Sequence, residues 1–381
     1  MNKNLVIISG LHLNDNNRGT AALGYGSIAF LREKGYVKEG DELVNFRTFK
    51  NPFRKYNKRI SVENFWMDDR YWKRTIISVF YLEFWLFVNF HILIPFMPFK
   101  RYLNRVRLIA AINGGDGFSD IYGKRIFYSR LPETFMAMRY GIPLIFLPQT
   151  LGPFKDINNI ILAKKILRYA DKVYIRDDKF AQELDSMGVF YERTKDLSFY
   201  MKPEIVDIEI KSNSVGINIS GLAYSNKFET LAGQFLIYPY LIHKLITCFQ
   251  QKGIFVYLIP HSYNYYSADS NNDDIEAMQQ AYDALDDKRN VYMIKKDLKA
   301  PQLKYIISKM NFFVGTRMHA NFAAIYTGVP LFGLAYSYKF QGAFEANGVF
   351  NSTAIINNIN ELEADTIVKN IIDKQSLLSI Y

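Results

Sequence analysis

Phe312-Phe-Val-Gly-Thr-Arg-Met-His-Ala-Asn-Phe-Ala-Ala-Ile-Tyr-Thr-Gly-Val-Pro-Leu-Phe-Gly333 is the stretch on which the fold turns. It opens on a short apolar β-rich run, Phe312–Val314, that breaks at Gly315. Met318–Tyr326 then carries the apolar spacing of a helix, and Gly328 supplies the stop. A second apolar run, Pro330–Gly333, follows at once. Two strands joined by a helix must lie parallel, because a tight hairpin turn cannot make that connection.

The same alternation extends outward from this unit. Strands are predicted before it at Val215–Ile219, Ile254–Ile259 and Val291–Ile294, with helices at Phe228–Gln251, Ile275–Leu285 and Gln302–Lys309. Further upstream, strands are predicted at Leu5–Ser9, Leu43–Phe46, Leu108–Asn113, Pro143–Leu147, Lys172–Ile175 and Glu192–Lys195. Helices fit between these at Thr20–Lys34, Arg125–Tyr140, Ile157–Tyr169 and Asp178–Met187. The polar stretch Pro203–Asn213 resembles a linker, and Asn360–Leu377 has the spacing of a closing helix. The expected architecture is α/β: two doubly wound Rossmann-like domains, residues 1–205 and 206–381, facing a cleft.

Composition agrees with two globular domains. The chain has 381 residues, 49% of them apolar and 22% charged, which excludes long disorder, collagen and coiled coil. Aromatic residues reach 16%, and Lys+Arg exceed Asp+Glu by 47 − 37 = 10. That balance suits nucleic acid, an anionic membrane or a phosphorylated substrate. The aromatic residues fall mostly at apolar or strand positions, not interleaved with lysines as a base-stacking platform requires, so nucleic acid is not expected. The single cysteine, Cys248, excludes a disulfide framework and any multi-cysteine metal site, and no convincing metal-ligand cluster stands out. Leu5–Ile8 is too short for the core of a signal peptide, which leads to the expectation of a cytoplasmic protein.

One segment stands apart. Ile76–Phe99 reads IISVFYLEFWLFVNFHILIPFMPF, with Lys73 and Arg74 before it and Lys100, Arg101, Arg105 and Arg107 after it. Its length approaches the roughly 20 apolar residues that span a bilayer, but Glu83, Asn89, Pro95 and Pro98 interrupt it. A helix or hairpin lying in a membrane interface fits it better, with anionic lipid met through about residues 73–107. An inserted helix pair packed on the core is the alternative.

In doubly wound sheets, ligands sit beyond the carboxyl ends of the strands, so the residues following each strand are the candidates. Gly315-Thr316-Arg317-Met318-His319 is the sharpest of these stretches. The amides of the helix start near Met318, with Thr316 and Arg317, suit an anion, and His319 lies where a proton donor faces the same ligand. Lys339 and His261 follow neighbouring strands of that domain and are either further ligand contacts or ordinary surface charges. Asn113-Gly-Gly-Asp-Gly-Phe-Ser-Asp120 allows close backbone approach at Gly114 and Gly115 and presents Asp116. The same residues fit a tight turn whose aspartates cap the next helix. Gln149 and Thr150 lie in a loop stiffened by two prolines, and Arg176-Asp177 opens a helix after a strand. Both stretches read equally as structural connectors. Asn17 belongs to a polar loop that caps a helix.

Taken together, Leu147-Pro-Gln-Thr-Leu-Gly-Pro-Phe154, Arg176-Asp177, the Val314–Pro330 stretch and Ala335-Tyr-Ser-Tyr-Lys339 resemble the polysaccharide pyruvyl transferase family. The order and approximate spacing agree from Asn17-Arg-Gly19 to Lys339. The sequence departs from the family pattern at Thr20, where many relatives have Asp, and at Asp196-Leu-Ser-Phe199 in place of Asp-Pro-x-Phe. Residues 51–107 look like an insertion.

The resemblance implies a fold like that of B-type glycosyltransferases, with no cofactor and with phosphoenolpyruvate as donor. It implies transfer of a pyruvyl group to a sugar, usually as a cyclic ketal. The R-x-H motif of the family, tied to donor binding and acid catalysis, falls on Arg317 and His319. Thr316, Met318, Lys339, Arg176, Gln149, Gly114, Gly115, His261 and Asn17 are then candidate substrate contacts, and Asp116 is the candidate base. The first domain takes the acceptor side and the second the donor side. With the apolar basic segment, the expected acceptor is a sugar linked to polyprenyl diphosphate, reached from the inner face of the cytoplasmic membrane. A nucleotide-sugar glycosyltransferase and a non-catalytic membrane-surface protein are the competing classes.

Overall fold

A computed structural model describes residues 4–49, 59–90, 92, 100–228, 231–268, 271–336 and 339–378. The chain divides into two units. The first comprises Met1–His12 and Leu23–Tyr200; the second comprises Leu13–Ala22 and Met201–Tyr381. The division at Tyr200/Met201 lies slightly before the expected 205/206. The second unit also takes in Leu13–Ala22, a segment that the sequence reading left with the first domain.

The first unit holds an eight-stranded sheet in the order β3-β4-β2-β1-β5-β6-β7-β8. Its strands are β1 (Leu5–Ser9), β2 (Glu42–Phe49), β3 (Ile60–Met67), β4 (Arg70–Phe80), β5 (Val106–Ala111), β6 (Leu144–Gln149), β7 (Lys172–Ile175) and β8 (Glu192–Arg193). All neighbours are parallel except β3 on β4. The central strands read as continuous apolar runs because helices cover both faces, and β1 is buried at all five positions. Strand order reverses between β1 and β5, which puts the loop after β5 at a topological switch point.

Part of the stretch 51–107, expected as an insertion, is built into the sheet. Trp72, Ile77 and Val79 of β4 are buried, and β4 extends the parallel sheet beside β2, with Leu43 opposite Arg74. The long apolar run is therefore two elements. Ile76–Phe80 completes a strand, and Tyr81–Phe90 is a separate helix of 10 residues. At 1.5 Å per residue that helix is only about 15 Å long, half a bilayer core. Among the described residues no helix is long and apolar enough to cross a membrane. Residues 93–99 lie outside the described residues.

The second unit is built on a fully parallel six-stranded sheet, β11-β10-β9-β12-β13-β14. Its strands are β9 (Ser214–Asn218), β10 (Phe255–Leu258), β11 (Val291–Met293), β12 (Phe312–Gly315), β13 (Leu331–Ala335) and β14 (Thr353–Ile355). Here the order reverses between β9 and β12. The loops leaving those two strands therefore lie side by side, and one of them carries Gly315-Thr-Arg. The closing helix, Glu361–Leu378, puts Ala364, Ile367, Val368 and Ile371 into the core of this unit.

One expected helix is divided and another is shortened. Arg125–Tyr140 is broken into Lys124–Ser129 and Pro132–Tyr140, because the proline ring and its missing N–H favour a helix start over a helix interior. Phe228–Gln251 begins as a helix only at Tyr238. A short helix, Gly221–Ser225, precedes it.

Candidate functional site

In the second unit, Gly315 ends β12 where a Cβ would lie 2.4 Å from the Asn321 side-chain oxygen. Asn321 donates to the Gly315 carbonyl (2.9 Å), which ties the turn to the helix it opens. Met318 and His319 follow in the first turn of the Met318–Tyr326 helix, at the positive end of its dipole. Thr316 is fully buried, and its hydroxyl is 2.7 Å from the Tyr238 phenol, which also accepts from the Ser220 amide. The Thr316 hydroxyl therefore has its partner within the unit. Its side chain holds the loop from inside.

Arg317 is organised by a residue that the motif does not contain. Asp274, with no exposed surface, accepts from Arg317 Nε (3.1 Å) and Nη2 (2.7 Å). The same carboxylate accepts from the Asn218 side chain and from the Gly221, His261 and Ser262 amides. One aspartate thus joins the ends of β9 and β10 to Arg317. Asn272 accepts from Nη2 as well, at 2.7 Å. Burial works against the Arg317 charge, but Asp274 more than offsets it and holds the guanidinium above its ordinary pKa. These bonds use the Nε–Nη2 edge of the guanidinium.

His319 packs edge-on against Phe322, with ring centroids 5.7 Å apart, and against the backbone of Gly19. A Cβ on Gly19 would lie 2.6 Å from His319 Nδ1, so only glycine admits this approach. Asn17 caps the helix Arg18–Glu33 by accepting from the Gly19 amide at 2.9 Å, and it bridges to Ser262. Arg18 anchors the loop. Its guanidinium lies 4.3 Å over the Tyr263 ring, pairs with Asp297 at 3.0 Å and donates to the Leu298 carbonyl, while its amide donates to the His261 carbonyl. His261 is buried, and burial, reinforced by the charges of His319, Arg317 and Arg18, holds its pKa well below the ordinary histidine value. It is a neutral imidazole in a cationic setting. Lys339 opens the helix Lys339–Glu345, and its side chain is outside the described residues.

The first unit gathers a different set at the ends of β5, β6 and β7. Gly114 and Gly115 both have positive φ, and a Cβ on Gly115 would lie 3.1 Å from Arg176 Nη1. Arg130 occupies the space that a Gly117 side chain would need and donates to the Asn113 carbonyl at 2.9 Å. Arg176 pairs with buried Asp196 at 2.8 Å and donates to Thr150 at 3.1 Å. Asp116 accepts from the Tyr122 phenol at 2.9 Å. Burial, aided by the Asp116 charge, pushes the pKa of Tyr122 up to about 12. Gln149 is part of the framework of this set. It is fully buried, donates to the Ala111 carbonyl and accepts from the Asn113 amide. Asp120 does not cap the helix that follows it; it accepts from the Lys155 and Asp156 amides and from Asn159, at the start of the Ile157–Tyr169 helix.

The candidates therefore fall into two sets. His319, Arg317, Met318, Thr316, His261 and Asn17 share the second unit, and Asp116, Arg176, Gly114, Gly115 and Gln149 share the first. Asp274, Asn218 and Arg18 were missed. Asp274 lies in the polar stretch Asn271-Asn-Asp-Asp274, which reads as loop and carries no motif. Arg18 sits inside the Asn17–Gly19 motif and was passed over. Among the described residues no group of three or more His, Cys, Asp or Glu is arranged to hold a metal ion.

Two Rossmann-like units, each with polar residues at its sheet switch point, match the glycosyltransferase-B fold. Solved structures agree on the fold. The chain is similar to a UDP-GlcNAc 2-epimerase from Methanocaldococcus jannaschii, with TM-score 0.53, 9% identity and coverage of 97% of this chain and 92% of that one. It is also similar to a protein of Listeria monocytogenes assigned as a UDP-N-acetylglucosamine 2-epimerase, with TM-score 0.51, 10% identity and coverage of 99% and 90%. A family model, polysaccharide pyruvyl transferase, matches residues 17–338. The chain belongs to that family and is a transferase.

Proposed function

We propose that this enzyme transfers the pyruvyl group of phosphoenolpyruvate to two hydroxyls of one sugar on a lipid-linked polysaccharide precursor, releasing phosphate and leaving a cyclic ketal. The observation that carries this reading is the second-unit set: His319 held between Gly19 and Phe322, with Arg317 fixed by Asp274 at the start of the same helix. A donor bearing both a carboxylate and a phosphate needs fixed cations and oriented amides, and this set supplies both.

In the proposed mechanism, protonated His319 delivers its proton to the methylene carbon of phosphoenolpyruvate. The double-bond electrons form the new C–H bond, and the adjacent carbon becomes cation-like. A sugar hydroxyl adds there and gives up its proton to a base. The C–O bond to phosphate then breaks, phosphate leaving with the electron pair. The second hydroxyl closes the ring and loses its proton. One hydroxyl proton in effect becomes the third methyl hydrogen, and the other leaves with phosphate. Arg317 and the Met318–His319 amides stabilise the departing charge. Neutral His261 beside them lines the site without adding another charge to it.

The test is mass spectrometry of galactose- and mannose-type glycan lipids after incubation with phosphoenolpyruvate. The reading expects the mass gain of one pyruvyl ketal together with released phosphate. Turnover of a UDP- or GDP-sugar, with no product from phosphoenolpyruvate, would overturn it in favour of a glycosyltransferase.

A further inference from the structure

We propose that the outward face of the Tyr81–Phe90 helix docks on an anionic lipid surface. The helix reads Tyr-Leu-Glu-Phe-Trp-Leu-Phe-Val-Asn-Phe, strongly apolar with Glu83 its one acid. Phe84 and Phe87 point into the core of the first unit, Phe84 edge-on to Phe46 at 5.5 Å and Phe87 stacked on Tyr140 at 6.1 Å. Leu82, Trp85 and Phe90 face outward, exposed by 48%, 42% and 58%. Trp85 and Phe90 touch each other edge-on at 5.3 Å, so the exposed rings form one patch. Tyr81 and Ile92 are exposed on either side of these residues in the chain. A strongly apolar helix belongs inside a protein or against lipid, and among its described side chains Phe84 and Phe87 are buried while Leu82, Trp85 and Phe90 are exposed.

Charge selects the occupant. The only acid of the helix, Glu83, is neutralised by Arg59 and accepts from the Phe80 amide at 3.0 Å. No bare carboxylate on the helix would therefore enter the low-dielectric interface. Arg139, beside Tyr140 on the helix packed against this one, is exposed. The whole chain carries +10, which repels a second copy and draws the protein to anionic headgroups. Leu, Trp and Phe on a face joined to a cationic body are the composition of an interfacial helix. The inference refines the broad 73–107 segment: β4 belongs to the sheet, and the lipid contact is the outer face of the helix that follows it. It rests on the proposed lipid-linked acceptor for its purpose, but lipid binding itself is measured without turnover.

The test compares the full-length protein with a Leu82→Ser/Trp85→Ser/Phe90→Ser variant in flotation with vesicles of phosphatidylglycerol and phosphatidylcholine in equal parts. Thermal melting verifies that the variant is folded. The expected result is a partition coefficient roughly tenfold or more lower for the variant. Pure phosphatidylcholine vesicles should bind the wild type more weakly. Wild-type protein that fails to float, or equal flotation of the two proteins, would overturn the proposal. A concentration-dependent dimer that the variant abolishes would also overturn it, since the patch would then be an interface between copies. Turnover of phosphoenolpyruvate with a water-soluble acceptor, measured in the same two proteins, separates this result from the catalytic reading. Absence of turnover in both counts against the catalytic reading while leaving the flotation result standing.

Discussion

The two sheet-end sites are built alike and charged differently. Each presents a largely buried arginine tied to a buried aspartate: Arg176 to Asp196 at 2.8 Å in the first unit, Arg317 to Asp274 at 2.7 Å in the second. Each uses a glycine to bring a functional side chain against backbone, Gly115 under Arg176 and Gly19 under His319. The surroundings part company. Arg176 and Arg130 are set among Asp116, Asp177 and Asp196, whereas Arg317 and Arg18, with His319 and His261, are set against Asp274 and Asp297. A carboxylate-rich loop suits hydroxyls, which need acceptors and a base. A cationic helix start suits a doubly anionic donor. The comparison teaches that one Rossmann scaffold can carry two sites of opposite local charge, and under the proposed function that difference would separate acceptor from donor.

The largest effect is expected at His319. His319→Ala should lower kcat by about 10²–10⁴-fold, the range for a lost general acid, while phosphoenolpyruvate binding measured calorimetrically stays nearly unchanged. Full phosphate release by that variant would remove His319 from the chemistry. Next come the buried aspartates. Asp274→Ala leaves the Arg317 charge unpaired, together with several donors inside the fold, and should cost about 3–5 kcal/mol in chemical denaturation. Asp196→Ala should cost less, because Arg176 keeps Asp177 and Thr150 as partners. Equal losses would mean that Asp274 is no more than another ion-pair partner.

How much of this was legible follows from which constraints are local. The Leu5–Ser9, Lys172–Ile175 and Met318–Tyr326 elements lie where the residues place them, because buried parallel strands and capped helices declare themselves over a few residues. The strand Arg70–Phe80 did not. Its last residues run without a break into an apolar helix, so one hydrophobic run conceals two elements. The edge strand Thr353–Ile355, three residues long, was too short to read. In the site, Arg317 and His319 were visible as a motif. Whether a polar residue faces a ligand or the framework depends on partners far along the chain: Tyr238 for Thr316, Asn113 for Gln149 and Asp274 for Arg317. None of those pairings leaves a pattern in one sequence.

A smaller effect is expected from the glycines. Gly19→Ala pushes a methyl group into the His319 ring and should displace it, lowering kcat about 10- to 100-fold with little change in melting temperature. Gly115→Ala should do the reverse. Its positive φ and the Arg176 contact make it a stability change, about 1–2 kcal/mol, with donor binding unaltered. If Gly19→Ala destabilises the fold and leaves kcat intact, the close approach to His319 is packing alone.

The last contrast is in the pH response, where the two units should move in opposite directions. His261 in the second unit has a folded pKa well below its unfolded value of about 6.5. Above that pH both states are neutral and nothing changes. Below it, the unfolded chain takes a proton that the folded chain refuses, so stability falls as pH drops, by up to about 1.4 kcal/mol per pH unit. Glu133 in the first unit is the mirror case. Burial pushes its pKa up from 4.5 to about 7, so the folded chain keeps a proton that the unfolded chain has released. Stability there falls as pH rises from 4.5 towards 7, with the same limiting slope. Hydrogen exchange at pH 5 and 7, resolved by peptide, should show protection moving in opposite directions around His261 and Glu133. His261→Gln should flatten the first response and Glu133→Gln the second, each leaving the other intact. A response that both variants alter together would mean that the two units unfold as one cooperative body, and the contrast between them would then belong to their chemistry and not to their stability.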